Sequence, residues 1–142
     1  MSKQRGFRSR ARRLALQALY QWQISADDPR DILAQFLADK RDRREADYFR
    51  TLFMNASGAA AELDALAAQH LDRPLAQLDP VEHAILWISL LEFREQLDVP
   101  YRAVINEAVE LAKDYGAEGS HKYVNAVLDR AAPVLRPLEA RR

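Results

Sequence analysis

The 142-residue chain contains no cysteine, so disulfide bonds, thiolate metal sites and cysteine nucleophiles are excluded. Only four residues are glycine, and no Asn-Gly or Asp-Gly pair is present to close a tight β-hairpin. No apolar run approaches the length of about 18 residues that a membrane-spanning helix needs. The N-terminal charges are not followed by the apolar segment of a signal peptide. We therefore expect a cytoplasmic globular protein that does not contact a membrane.

Signatures of catalysis are also lacking. His70, His83 and His121 lie far apart in the sequence and form no HExxH or other metal-ligand spacing. The chain contains no P-loop, no GxGxxG and no GxSxG motif. We predict a protein that is not an enzyme and that has no catalytic residues, no metal site and no cofactor.

A net charge is absent too, because 21 basic residues balance 21 acidic ones. The balance conceals a strong asymmetry along the chain. The first 13 residues include six basic side chains and no acid, so the rest of the chain carries the opposite excess. The six are Lys3, Arg5, Arg8, Arg10, Arg12 and Arg13. A basic N-terminal segment on an acidic body indicates a local attraction to a polyanion.

Apolar residues recur at helical spacing along nearly the whole chain, which predicts an all-α fold of about seven helices. Asp28-Pro29 is typical of a helix start, with a capping aspartate before a proline in the first turn. After a polar connection over residues 40–45, the pattern predicts one helix from about Ala46 to His70. We expect one domain over residues 1–142, with helical subdomains at about 8–72 and about 73–137.

The second half contains the clearest helix start. Asp79-Pro80 is followed by Glu82 at the spacing of a capping box. Residues 84–91 are apolar on nearly every side, which predicts a central buried helix. Further helices are expected to end at Gly116 and to start near Ser120, with Pro133 stopping the last of them.

The N-terminal arginines step at helical spacing along two rows. Because the apolar stripe of the same helix faces the body, both rows are expected to face solvent, where they repel one another unless an anion is bound. The planar guanidinium suits phosphate, so we predict nucleic-acid binding; a solvated basic tail is the alternative. The rows are Arg5, Arg8 and Arg12, and Arg10, Arg13 and Gln17.

A second candidate site follows Gly116. A glycine-bearing turn that leads into a helix presents backbone N–H groups to an anion, and Ser120 can cap that helix. Lys122 adds charge, Tyr123 offers a ring on which a base can stack, and Asn125 can bond to a base edge. The alternative is a simple helix connection with Tyr123 in the core.

Two aromatic residues follow the arginines on the first helix. Trp22 falls on the apolar stripe and is expected in the core, whereas Tyr20 lies off the stripe and is expected at the surface.

Three parts of the chain resemble the NusB family of transcription antitermination factors, and the resemblance extends from about residue 8 to about residue 137. The matching segments are RRLALQALYQWQ at 12–23, DVPY at 98–101 with VINEAVELAK at 104–113, and GAE at 116–118 with SHKYVNAVLD at 120–129. The resemblance implies an all-helical fold of two packed three-helix units without catalysis. It also implies a complex with NusE, a small-subunit ribosomal protein, in which both proteins hold the single-stranded boxA segment of nascent ribosomal RNA. That complex joins an RNA polymerase antitermination assembly.

Carried onto this sequence, the resemblance assigns two sets of RNA contacts, one from the first helix and one from the Gly116 turn and its helix. The contacts are Arg8, Arg10, Arg12, Arg13 and Gln17, together with Lys122, Tyr123 and Asn125. Tyr20 and Glu82 are expected at the NusE surface.

The chain departs from the family pattern in three respects, one of which is that the arginines of the first helix are spaced a little differently. Gly119 stands where an acid is common, and His83 and Trp87 stand where basic residues are common. Two alternatives to antitermination remain, an RNA-targeting domain of a ribosomal RNA methyltransferase and a protein-binding helical adaptor. We expect the methyltransferase alternative less, because no cofactor-binding domain follows the helical segment. A homodimer is compatible with all three.

Overall fold

The computed structural model describes residues 6–140, which form eight α-helices, one 3-10 helix and no β-strand. The predicted all-α fold is confirmed. The chain divides into two compact units, the first ending at Gly58 and the second beginning at Ala59. This division comes earlier than the boundary near residue 72 that the sequence pattern indicates.

The first unit consists of three helices that contact one another pairwise: α1 (Phe7–Ser25), α2 (Pro29–Phe36) and α3 (Arg43–Gly58). Apolar residues at helical spacing supply its core, and two phenylalanine rings of α3 stack with their centroids 6.0 Å apart. The fully buried side chains include Leu16, Leu19, Ile32, Phe49, Leu52 and Phe53.

The predicted start of α2 is confirmed. The Asp28 carboxylate accepts a hydrogen bond of 2.9 Å from the backbone N–H of Arg30, and Pro29 occupies the first helical position. This cap satisfies one of the backbone donors that a helix start leaves without an intrahelical partner.

The single helix predicted from about Ala46 to His70 is wrong. The chain forms two helices there, α3 and α4 (Ala60–Ala68), separated at Ala59 with φ −116° and ψ 19°. Gly58 weakens the helix just before the break. Helix α3 packs on α1 and α2, whereas α4 packs on α5 of the second unit (Pro80–Glu95). Tertiary packing therefore divides a segment whose apolar pattern is continuous.

Helix α3 also starts earlier than predicted, at Arg43. Asp42 Oδ1 accepts hydrogen bonds from the backbone N–H groups of Arg44, at 2.8 Å, and Glu45, at 3.3 Å. This aspartate cap turns part of the predicted polar connection into the first turn of a helix.

The second unit comprises α4, a 3-10 helix (Leu75–Gln77), α5, α6 (Tyr101–Tyr115), α7 (Ser120–Leu135) and α8 (Pro137–Ala140). Helix α5 contacts α4, α6 and α7, and it is buried at every position from Ala84 to Phe93. The predicted central helix is thus confirmed. Its capping box is confirmed as well, because Glu82 N–H donates to Asp79 at 2.8 Å and Asp79 N–H donates to Glu82 at 3.4 Å.

Pro133 does not stop the last long helix as predicted, because α7 continues to Leu135. A proline this close to a helix end removes one backbone hydrogen bond without preventing the final turn. Just beyond, the buried Arg136 donates from Nε to the Phe93 carbonyl at 2.7 Å and from Nη2 to the Glu92 carbonyl at 3.0 Å. The guanidinium satisfies carbonyls near the end of α5 and joins the ends of α5 and α7.

Candidate nucleic-acid interface

The predicted arginine rows of α1 are less exposed than expected. Arg12 is buried, with 4% of its surface exposed, and Arg8, Arg10 and Arg13 are half-buried, while Gln17 is exposed. The expectation that both rows face solvent is therefore wrong for Arg12. The reason is that α3 packs along α1 and covers part of the arginine face.

Arg5, the first predicted contact of these rows, lies outside the described residues. Helix α1 begins at Phe7 after Gly6, and no acidic side chain is present in its first turn. The start of α1 thus retains the positive end of its dipole next to the arginines.

The first unit contains an arginine–aromatic cluster, formed by Phe7, Arg8, Arg12, Arg44 and Tyr48. The Phe7 and Tyr48 rings meet edge to face at a centroid distance of 6.4 Å. The Arg8 guanidinium lies 5.2 Å from the Phe7 centroid and 5.6 Å from that of Tyr48, and Arg12 lies 5.9 Å from Tyr48. Arg44 approaches Phe7 at 4.8 Å. Cation–π attraction offsets part of the repulsion among the three arginines.

Sequence reasoning missed Phe7, Arg44 and Tyr48 in this cluster. The two aromatic rings are compatible with ordinary core positions, and Arg44 belongs to the polar stretch over residues 40–45 that predicts a connection. These three residues lie together because α3 packs against α1, and sequence spacing does not predict that contact.

An ion-pair network ties α1 to α3. Arg10 Nε donates to Glu45 Oε1 at 2.7 Å, and Arg41 Nη1 lies 3.5 Å from the other oxygen of the same buried carboxylate. Glu45 thus compensates two guanidinium groups at once, which orients the Arg10 side chain.

The two aromatic residues later on α1 differ in outcome. Tyr20 is at the surface as predicted, with 44% of its area exposed. Trp22 is only half-buried, so its predicted place in the core is wrong. Trp22 lies in the last turn of α1, which ends at Ser25, and no residue of this helix after Leu19 is buried.

The turn between α6 and α7 is built differently from the prediction. Gly119 is the N-cap of α7 and has a left-handed φ of 84°, which glycine adopts without steric cost. Ser120 does not cap the helix; its buried hydroxyl donates to Glu82 Oε2 at 2.9 Å. Gly116 ends α6 as predicted, and a side chain there would come within 2.8 Å of the Ala112 carbonyl oxygen.

Glu82, expected at a partner surface, is buried and engaged within its own unit. One carboxylate oxygen accepts the Asp79 N–H and the other accepts the Ser120 hydroxyl. The carboxylate therefore joins the starts of α5 and α7, which is a structural role.

Tyr123 is half-buried, and one face of its ring is covered by Arg73, whose guanidinium carbon lies 3.8 Å from the ring centroid. Burial raises the pKa of the Tyr123 hydroxyl, and the positive charge of Arg73 opposes that rise. Among the residues that the structure describes, this buried hydroxyl has no hydrogen-bond partner. The ring, rather than the hydroxyl, is thus the group suited to a ligand. Sequence reasoning missed Arg73, which is distant in the chain.

Lys122 is exposed, and Asn125 lines a groove of about 390 Å³ between α6 and α7. In that groove Asn125 Nδ2 donates to Asp129 at 3.4 Å. Since helical residues two apart point about 200° away from each other, Tyr123 and Asn125 lie on different faces of α7. The structure therefore does not bring Lys122, Tyr123 and Asn125 together. They belong to the second unit, and the α1 residues belong to the first.

His83 and Trp87, the departures in α5, bond to α4. His83 Nε2 and Trp87 Nε1 both donate to Asp64 Oδ1, at 2.6 Å and 2.8 Å. Their rings lie 4.1 Å apart. In this chain the pair joins the two helices by hydrogen bonds that need no positive charge.

Within residues 6–140, no group of three or more histidine, aspartate or glutamate side chains is arranged to hold a metal ion. None of the helices in this range is long and apolar enough to cross a membrane.

Comparison with known proteins identifies the family. The transcription antitermination protein NusB of Sodalis glossinidius is 52% identical over 132 residues, which cover 92% of this chain and 94% of that protein. The NusB structure of T. maritima superposes with a TM-score of 0.83 at 30% identity, covering 93% and 92% of the two chains. A crystal structure of the antitermination factors NusB and NusE in complex with double-stranded RNA shares the fold, with a TM-score of 0.82, 24% identity and coverage of 90% and 97%. The model of the NusB family matches residues 9–133, and the chain belongs to that family.

Proposed function

We propose that this chain is a non-catalytic transcription antitermination factor of the cytoplasm. It binds boxA-like single-stranded RNA together with NusE and joins an RNA polymerase antitermination complex. Relatives that are 52% identical carry the name transcription antitermination protein. The observation that carries the RNA part is the arginine–aromatic cluster, which concentrates three guanidinium groups and two rings at the start of α1 and α3.

The first helix supplies phosphate contacts in this proposal. Arg8, Arg10 and Arg13 keep part of their surface exposed, and Gln17 is exposed one turn beyond. Arg12 is buried beside Tyr48, so it acts by positioning that ring and adding to the local field rather than by direct contact. Arg5 adds a further positive charge just before this helix in the sequence.

The second unit supplies a separate set of contacts. Lys122 attracts a phosphate, and the Tyr123 ring stacks a base on the face that Arg73 does not cover. Asn125 bonds to the RNA from its groove beside Asp129. Stacking is worth about 1–3 kcal/mol per base, so the ring contributes more than the exposed lysine.

NusE binding falls mainly to Tyr20, because its ring is substantially exposed. Aromatic residues of this kind anchor protein interfaces by burying a large area at low entropic cost. Glu82 supports the partner surface indirectly, since its carboxylate holds Ser120.

The test is a titration of fluorescent single-stranded boxA RNA with this protein, with and without NusE. It is carried out from about 50 to about 200 mM salt, a range over which phosphate contacts weaken steeply. NusE should tighten binding, and log K should fall linearly with log salt. Salt-independent binding, or no binding with NusE present, overturns the proposal. A double-stranded RNA of the same sequence should bind more weakly; equal or tighter binding overturns the preference for single strands.

A charge-reversal variant distinguishes an RNA-binding protein from an adaptor that binds only proteins. Arg10 is unsuitable for this purpose because it bonds to Glu45, so reversal would disturb the fold. Arg13→Glu should weaken RNA binding and leave NusE binding unchanged. An Arg13→Glu variant with wild-type RNA affinity, alongside intact NusE binding, would favour the adaptor. Methyl transfer to ribosomal RNA by this chain would contradict a non-catalytic role.

A further inference from the structure

We propose that Arg44, in the first turn of α3, is a further RNA contact that extends the basic surface of α1 onto a second helix. The inference rests on the proposed RNA binding and assigns a phosphate contact to a residue outside α1. The Arg44 side chain is 70% exposed. It follows Arg43, which is also exposed, so the start of α3 presents positive charge to solvent.

Phe7 fixes the position of Arg44 relative to α1. The guanidinium carbons of Arg8 and Arg44 lie 5.2 Å and 4.8 Å from the centroid of the same Phe7 ring. They are therefore within about 10 Å of each other, which is about one Debye length at 0.1 M salt. An RNA strand that approaches Arg8 experiences the field of Arg44 as well, and successive phosphates can bind to both.

Asp42, the acid that faces Arg44, accepts hydrogen bonds from the backbone. Asp42 Oδ1 accepts the N–H groups of Arg44 and Glu45 as the cap of α3, and it lies 3.6 Å from Arg44 Nε. The two backbone hydrogen bonds lower the pKa of Asp42, which favours the ionised form of the cap. A long, exposed ion pair of this kind contributes little, and it leaves Arg44 easily drawn to a phosphate.

Arg10 and Arg41 are held more firmly. They share the buried Glu45 carboxylate, with Arg10 bonded at 2.7 Å. Moving either guanidinium to a phosphate would leave a buried carboxylate with less compensation. Arg44 carries no such penalty. Its attraction to the Phe7 ring orients the planar guanidinium and lowers the entropy lost on binding.

The experiment compares Arg44→Gln with Arg30→Gln in the RNA titration with NusE. Arg30 is a close match, because it is also two residues after a capping aspartate, bonds to that aspartate and has an 81% exposed side chain. Arg44→Gln should weaken binding several-fold and reduce the salt slope by about 0.7, the value expected for one lost phosphate contact on a single strand. Arg30→Gln should leave the affinity and the slope unchanged.

Arg44→Lys tests whether RNA binding depends on the positive charge at position 44 or on the packing of the guanidinium group. The lysine keeps the positive charge, so the salt slope should return to that of the wild type while the affinity recovers in part. Wild-type affinity and slope in Arg44→Gln, with Arg8→Gln weakened, overturn the Arg44 contact and leave the proposed function intact. Equal losses in Arg44→Gln and Arg30→Gln also overturn it, since the effect is then general charge. Failure of the wild type to bind RNA overturns the proposed function and this inference together.

Discussion

Arg10 in α1 donates from Nε to the Glu45 carboxylate of α3 across 2.7 Å. Glu45 is buried and also faces Arg41, so one carboxylate holds two guanidinium groups. Arg10, which belongs to the second basic row, thus takes part in the packing of its own unit. Residues that attract RNA in our proposal also help to hold α1 against α3.

We expect Glu45→Gln to lower the free energy of unfolding by about 1–3 kcal/mol, because charged donors lose their ionised partner. The matched control is Asp47→Asn, whose ion pair with Arg50 at 3.2 Å is exposed and should contribute less than about 1 kcal/mol. Urea denaturation measures both. RNA affinity of Glu45→Gln should not fall, since the variant removes a negative charge; a marked loss would mean that Arg10 must be fixed by Glu45 in order to bind.

Ser120→Ala should destabilise the protein by about 1 kcal/mol, the usual contribution of one hydrogen bond, because Glu82 loses the hydroxyl donor. Ser89→Ala is a matched control, since this buried serine bonds to the Ile85 carbonyl of its own helix, and the substitution should be nearly neutral. The two midpoints in urea should differ.

Glu82→Gln adds a test of partner binding. If Glu82 acts only through the fold, Glu82→Gln and Ser120→Ala should alter NusE affinity alike. A larger loss of NusE affinity in Glu82→Gln at equal stability would mean direct contact.

Gly119→Ala should lower the free energy of unfolding by about 1–2 kcal/mol, because a residue with a β-carbon is strained at φ 84°. Gly58→Ala is a control with the opposite expected effect. Gly58 lies in α3 with open space around the added carbon, so this variant should raise the free energy of unfolding by about 0.5–1 kcal/mol. Gly119→Asp should lose less stability than Gly119→Ala, since aspartate tolerates the left-handed region. Its charge near Lys122 should weaken RNA binding, and this effect should diminish at high salt.

Tyr123→Phe should preserve RNA affinity and leave stability equal or higher, because the buried hydroxyl has no partner within the described part of the chain. Tyr123→Ala removes the ring and should weaken RNA binding by about 1–3 kcal/mol. Comparable losses in both variants would mean that the hydroxyl, not the ring, contacts RNA.

The raised pKa of Tyr123 also predicts a pH dependence. Since folding favours the neutral hydroxyl, its contribution to stability is present below the ordinary tyrosine pKa of about 10 and is lost as pH rises through the folded value. Thermal midpoints from about pH 9 to about pH 11 should decline less in Tyr123→Phe than in the wild type. Parallel curves would contradict a perturbed Tyr123.

Local chemistry made several elements predictable. The aspartate caps before Pro29 and Pro80, and the apolar face of α5, depend on residues within one or two turns of each other. The predicted helix across residues 46–70 was wrong because its apolar pattern does not record that α3 and α4 pack on different helices. The prediction that Pro133 stops the last helix is wrong for a related reason, since Arg136 at the end of α7 bonds to the Phe93 carbonyl of α5.

The same distinction between local and long-range contacts applies to the candidate site. The basic segment and the ring of Tyr123 were visible as residue types at suitable spacing. Three other features depend on residues distant in the chain. They are the burial of Arg12, the position of Arg44 beside Phe7, and the contact of Arg73 with the Tyr123 ring. Spacing within one helix defines a face, and it does not define which neighbour covers that face.

The sequence by itself determined the helical class, the starts of α2 and α5, the family and the location of positive charge, because each depends on residue type and short-range spacing. Only the tertiary structure decided which arginines stay accessible. Helix packing buries Arg12, pairs Arg10 with Glu45 and leaves Arg44 exposed against Phe7. Burial and ion pairing arise from contacts between helices. Within one basic segment, one arginine can therefore contribute to packing while another remains available for binding.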